Sequence, residues 1–156
     1  MRALQAVTMA VWMGAAVSSF AAEKIFDPGA NAAKDLKVAE RKAAGKHKNI
    51  LLDVGGNWCP WCLLVDKTLH DDAELNGLLE KNYVVLRVNF SKENENKDFL
   101  SAYPKAAGYP QWYVLGSDGA LLKTEDTSQL EATHKLAQGY NRDALKAFLM
   151  ENAPKS

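Results

Sequence analysis

Residues 49–69 read Asn49-Ile50-Leu51-Leu52-Asp53-Val54-Gly55-Gly56-Asn57-Trp58-Cys59-Pro60-Trp61-Cys62-Leu63-Leu64-Val65-Asp66-Lys67-Thr68-Leu69. Ile50, Leu51, Leu52 and Val54 form a short apolar run of the kind a buried strand carries. Gly55-Gly56-Asn57 breaks that strand. Pro60 opens a helix that runs to about Leu69, since proline is well tolerated in a first helical turn. The two cysteines, Cys59 and Cys62, therefore fall where a strand hands over to a helix.

Reading outward gives the rest of the chain. Upstream, Asp27-Pro28-Gly29 is a turn or linker signal. Ala32, Leu36, Ala39 and Ala43 share one face of a helix that Gly45 would stop. Downstream, Asp71 and Glu74 have capping-box-like spacing, ahead of an apolar stripe at Leu75, Leu78 and Leu79. Residues 83–90 read as a second strand and 91–98 as a polar connection, with a short helix expected over about 96–103. Residues 111–115 form a third strand. Gly116-Ser117-Asp118-Gly119 is a tight turn, and 120–123 a fourth strand completing a hairpin. Residues 124–138 read as a polar loop with at most one helical turn. Asn141 caps a last helix that turns Leu145, Phe148 and Leu149 to the core. The expected architecture is α/β: a small mixed sheet, its first two strands parallel and its last two antiparallel, flanked by helices on both faces.

The cysteine spacing has a chemical purpose. The first residue of a C-x-x-C at a helix start meets free backbone N–H groups and the positive end of the helix dipole. Its thiol should sit well below the ordinary thiol pKa. The thiolate is the nucleophile of disulfide exchange, and Cys62, one turn in and more shielded, can resolve the mixed disulfide. A staple works mainly by closing a long loop, so two cysteines this close are poor staples and good redox partners. Zinc needs about four ligands, and His47, His70 and His134 have no ligand-like spacing to the pair. Haem attachment needs a histidine after the second cysteine, where Leu63 stands.

The N-terminus reads as a secretory signal peptide over residues 1–21. Arg2 is its positive start, Ala3 to Val17 its apolar stretch, and Ser19-Phe20-Ala21 the small-residue cleavage pattern. A spanning anchor would need about 20 apolar residues, more than this stretch supplies. No cysteine lies near it to carry a lipid. The expected mature chain starts at Ala22 or Glu23, with 22–156 as one domain outside the reducing cytosol. The formal net charge is zero at pH 7, which gives no reason to expect a nucleic-acid partner.

The strand, the glycines, Trp58-Cys59-Pro60-Trp61-Cys62 and the following helix resemble the thioredoxin superfamily, over residues 30–152. Within it the chain looks closest to exported bacterial thioredoxin-like proteins, some of them described as disulfide isomerases. The resemblance implies a thioredoxin fold and a periplasmic thiol:disulfide oxidoreductase, reductase or isomerase-like. Asp53 matches the family's buried acid, a proton acceptor for the second cysteine. Burial among Ile50 to Val54 should raise its pKa toward neutrality; the alternative is a solvent-facing or turn-capping carboxylate. Tyr109-Pro110 matches the cis-proline beside the active site, which presents backbone to an incoming substrate strand. Arg87 occupies the place of a lysine near the buried acid and could tune it, or could be a surface charge. Gly139 resembles the glycine before the last helix, or is a mere turn. Trp58 and Trp61 flank the thiols as contact surface for a peptide, Trp58 resting mainly on the sheet and Trp61 facing substrate.

Leu63, Gln111, the long 124–138 segment and the Pro60-Trp61 dipeptide depart from the family pattern. The dipeptide helps set the redox potential, so it leaves the direction of electron flow open. Protein disulfides or dithiols are the expected substrates, and a membrane or periplasmic redox partner would recharge a monomer that needs no metal or diffusible cofactor. The alternative is a binding module that grips peptides or carries copper or zinc on its thiolates.

Overall fold

The computed structural model describes residues 24–132 and 139–155. Helix α1 (Ala32–Lys46) leads into strand β1 (Asn49–Gly55), followed by α2 (Pro60–Asp71), α3 (Ala73–Asn82), β2 (Tyr83–Asn89), the short α4 (Lys97–Leu100), β3 (Gln111–Leu115), β4 (Leu121–Asp126), a 3₁₀ turn (Thr127–Leu130) and α5 (Arg142–Glu151). The four strands lie in the order β2-β1-β3-β4. β1 is parallel to β2 and antiparallel to β3, and β3 is antiparallel to β4. This is the mixed sheet that the order of apolar runs and turns implied.

Pleating divides β1 between two cores, because successive side chains point to opposite faces. Ile50, Leu52 and Val54 pack with Ala32, Ala39 and Ala43 of α1, and with Tyr113 and Leu115. Leu51 packs on the other face with Val65 and Leu69 of α2, Leu75 and Leu79 of α3, and Leu145, Phe148 and Leu149 of α5. Asp53 and Gly55 share that second face. The strand therefore directs its one carboxylate and its last residue at the helix that carries the cysteines.

Four local expectations are corrected. Helix α1 runs through Gly45 to Lys46 and is closed by His47, whose backbone is left-handed (φ 53°) and whose N–H bonds Ala43 and Ala44 carbonyls. The cap of α3 is Asp72, not Asp71; its side chain accepts from the N–H groups of Glu74 and Leu75. The helix expected over 96–103 is the single turn of α4, which follows Asn96 in a left-handed conformation. β4 continues to Asp126, pairing it with Gln111, so the polar 124–138 segment begins as strand and then turns 3₁₀. Residues 133–138 and the segment read as a signal peptide (1–21) lie outside the described residues. No described helix is long and apolar enough to cross a membrane.

Candidate active site around the Cys59–Cys62 disulfide

Cys59 is the N-cap of α2 and Pro60 its first helical residue. Cys59 and Cys62 are joined in a disulfide, and the Cys62 N–H points at Cys59 Sγ across 3.2 Å. Cys59 is 3 % exposed and Cys62 fully buried. The outer sulfur thus faces the helix N-terminus, where a thiolate is stabilised by unpaired N–H groups and the dipole. The inner sulfur lies over Gly55: a Cβ there would stand 2.6 Å from Cys62 Sγ and 3.1 Å from Phe26 Cζ. Close approach of the sulfur is what position 55 requires of a glycine.

Tyr109-Pro110 is a cis peptide, and it brings the Tyr109 carbonyl oxygen to 3.6 Å from Cys59 Sγ. Tyr109 is part of an aromatic wall. Its ring stacks on Phe90 at 4.7 Å and meets Trp58 edge-on at 5.8 Å. The Trp58 indole N–H donates to the Phe90 carbonyl at 2.6 Å. The other wall is Trp61, edge-on to Tyr140 at 5.6 Å. Trp58 departs from the place expected of it on the sheet. Trp58 is 55 % exposed, beside a cleft of about 460 Å³ lined by Phe90, Ser91, Lys92, Glu93 and Glu95. Trp61 is half-buried. The reason is local: the indole N–H of Trp58 ties it to the loop after β2, so its ring stands up at the rim and not on the sheet.

Behind the cysteines lies a row of three paired positions. Asp53 stands opposite Arg87 of β2 and Trp112 of β3, so all three start from one sheet face. The Trp112 indole N–H donates to Asp53 Oδ1 at 2.9 Å. Burial pushes the Asp53 carboxyl up from its ordinary 3.8 to about 7; Arg87 and the Trp112 hydrogen bond hold it back, and Asp66 adds to the rise. Arg87 pairs with Asp66 of α2 and keeps its Nε buried without a partner. Arg87 is thus neither a plain surface charge nor a dedicated ion-pair partner of Asp53. Asp66 was not singled out in the sequence, where it reads as one charge on an amphipathic helix.

Gly139 has φ 151°, and its carbonyl accepts from the Ala132 N–H at 2.8 Å. That link sets Tyr140 against Trp61. Two more residues escaped the sequence reading. Asn57 accepts from the N–H groups of Ile25 (3.0 Å) and Phe26 (3.1 Å) and donates to the Phe26 carbonyl (2.7 Å). Phe26 is thereby pinned against both cysteines. The only hint was an asparagine, not a third glycine, in the Gly55-Gly56-Asn57 turn. Among the described residues no group of three or more His, Cys, Asp and Glu side chains is placed to hold a metal ion.

A thioredoxin-like family model matches residues 31–117. No curated protein matches the chain. Among solved structures, a disulphide isomerase from Xylella fastidiosa Temecula1 is 26% identical with a TM-score of 0.69, the match covering 84% of this chain and 98% of that one. The oxidised C-terminal domain of Neisseria meningitidis DsbD is 17% identical with a TM-score of 0.53, covering 79% of this chain and 97% of the other. A DsbH oxidoreductase is 18% identical with a TM-score of 0.50, covering 73% and 78%. The last two likenesses are likenesses of fold.

Proposed function

We propose that this chain, which belongs to the thioredoxin-like family and is a thiol:disulfide oxidoreductase, reduces or rearranges disulfides of exported proteins in the periplasm. The observation that carries the reading is the Cys59–Cys62 disulfide at the start of α2, with the Tyr109 carbonyl beside Cys59 and, on the sheet face that α2 covers, an Asp53 whose carboxyl burial pushes up to about 7.

In the reductive direction the pair starts reduced. Cys59 gives up its proton, its thiolate attacks one sulfur of a substrate disulfide, and the other substrate sulfur leaves as a thiolate that takes up a proton. Cys62 then loses its proton to Asp53 and attacks Cys59 Sγ. The mixed disulfide breaks, the second substrate sulfur leaves as a thiolate that takes up the proton held on Asp53, and Cys59–Cys62 is left oxidised. Two electrons and two protons have passed to the substrate. A carboxyl with a pKa of about 7 suits this work, since a base is most effective when its pKa lies close to the working pH. Trp58, Trp61, Tyr109 and Pro110 form the surface that meets the substrate. The Cys59–Cys62 pair is the redox centre, and a membrane or periplasmic redox partner returns the two electrons. Placement in the periplasm rests on the signal-like sequence of residues 1–21.

Insulin reduction tests the scheme. Cys59→Ser should abolish turnover, and Cys62→Ser should accumulate mixed disulfides on Cys59. Full turnover by the Cys59 variant would overturn it. The reduction potential assigns direction: a value near about −270 mV marks a reductase, and one near about −120 to −180 mV a donor or shuffler of disulfides.

A further inference from the structure

The β3–β4 ladder runs to Gln111↔Asp126 and stops. One step further would set Pro110 opposite Thr127. Proline has no N–H to offer the ladder, and at Thr127 the chain has already turned into the 3₁₀ helix. The Pro110 carbonyl is thereby left without a strand partner, in buried ground. An orphaned buried carbonyl is costly. Thr127, itself 3 % exposed, fills the gap: its hydroxyl donates to the Pro110 carbonyl at 2.6 Å. The start of the turn is held in place by Asp126, which accepts from the Ser128 N–H at 3.0 Å.

Thr127 also lies near the opposite wall of the site. The Tyr140 ring backs Trp61, between the cysteines, and its hydroxyl is buried without a hydrogen bond. Burial pushes the phenol up to about 12, with the neighbouring Thr127 hydroxyl offsetting part of the rise. The hydrogen bond that Thr127 does make, to the Pro110 carbonyl, is the one that bears on the cis-proline rim.

We propose that Thr127 is a positioning residue for disulfide exchange with protein substrates: its hydroxyl fixes the Pro110 carbonyl, and with it the Tyr109 carbonyl beside Cys59. The inference rests on the reading above that the Tyr109-Pro110 rim receives the substrate backbone. A folded or peptide-like substrate must meet that rim in register with the sulfur, and small geometric errors there are expensive. A small aromatic disulfide has no backbone to lay along that rim. The brace thus matters for one class of substrate and not for the other.

The test compares insulin with a small aromatic disulfide on the full mature chain. Thr127→Val removes the hydroxyl at nearly constant volume. It should raise KM for insulin by about 5- to 10-fold, the effect of one lost hydrogen bond. The kcat for insulin, the rate with the small disulfide, and the pH profile of Cys59 alkylation should hold within about twofold. Thr127→Ser keeps the hydroxyl and should restore insulin KM. Thr127→Ala carries the same expectation as the valine variant should that one fail to fold. An unchanged insulin KM, an equal loss with both substrates, or failure of serine to rescue would each overturn the proposal. Pro110→Ala separates it from the reading beneath. If Pro110→Ala raises insulin KM and Thr127→Val does not, only the brace is wrong. If neither does, the rim is not the substrate platform and both fall.

Discussion

Replacing Asp53 by asparagine should stabilise the oxidised protein at pH 8 and leave it no more stable at pH 4. The folded carboxyl lies at about 7 against an ordinary 3.8, chiefly because it is buried. Its pKa is raised on folding, so between those values the folded state holds more protons than the unfolded one, and stability falls as pH rises. The protonated acid contributes its full share below about pH 4, and that share is gone above about pH 7. At about 1.4 kcal/mol for each tenfold, the wild-type chain loses about 4 kcal/mol over the interval. Asparagine has the same shape, carries no charge, and its Oδ1 can keep the Trp112 hydrogen bond. Its amide N–H groups need acceptors that a carboxylate did not, which takes back about 1–2 kcal/mol. The net gain at pH 8 should be about 2–3 kcal/mol.

Urea unfolding of both proteins, oxidised and without reductant, at intervals from pH 4 to pH 8.5, reads this directly. The wild-type curve should slope downward through pH 5 to 7 relative to the variant, and the two should separate most above pH 7. Parallel curves across the whole range would mean that the Asp53 carboxyl has an ordinary pKa, and the proton-acceptor role built on its burial would go with it. If Asp53 is the proposed proton acceptor, the same variant should be slow in resolving mixed disulfides at neutral pH.

Two further outcomes follow from the same geometry. Gly55→Ala places a methyl 2.6 Å from Cys62 Sγ and 3.1 Å from Phe26; it should cost about 1–3 kcal/mol in urea unfolding, as overpacking does, and speed alkylation of the reduced Cys62 by levering Phe26 off it. Trp112→Phe removes the hydrogen bond that lowers the Asp53 pKa, so the carboxyl should titrate higher, and the pH profile of mixed-disulfide resolution should move upward by a measurable fraction of a unit.

Much of the fold was legible because its signals are local. A short apolar strand ended by glycines, a helix opened by Pro60, and a hairpin closed at Gly116–Gly119 each announce themselves within a few residues. The errors arose where a near neighbour took the expected role. Gly45 was expected to end α1, and the left-handed position fell to His47 two residues on. Asp71 was expected to cap α3, and the adjacent Asp72 does so. At the site, the cysteines and Asp53 stand out because each breaks the pattern of its own segment. Phe26, Asn57 and Asp66 break no pattern. They belong to the site only because the chain folds back: Asn57 clamps a residue thirty-one positions upstream, and Asp66 meets an arginine from a different element.

That difference also explains how Asp53 can sit where it does. A carboxylate in a core is tolerated only if its surroundings decide its charge. Arg87 alone, paired across the ladder, would favour the ionised form and draw the carboxyl toward ordinary values. Asp66 occupies the same guanidinium from the helix above, so Arg87 can serve Asp53 only in part. Desolvation then prevails, with Arg87 and Trp112 opposing it and Asp66 reinforcing it. The balance places the carboxyl near neutrality, at a cost in stability that an apolar side chain in its place would not incur. A strand built for stability alone would carry the apolar run from Ile50 through Leu51 and Leu52 to Val54 without a break. The proposed proton-acceptor role would give that penalty a purpose: the carboxyl lies on the sheet face covered by α2, the helix that bears Cys62.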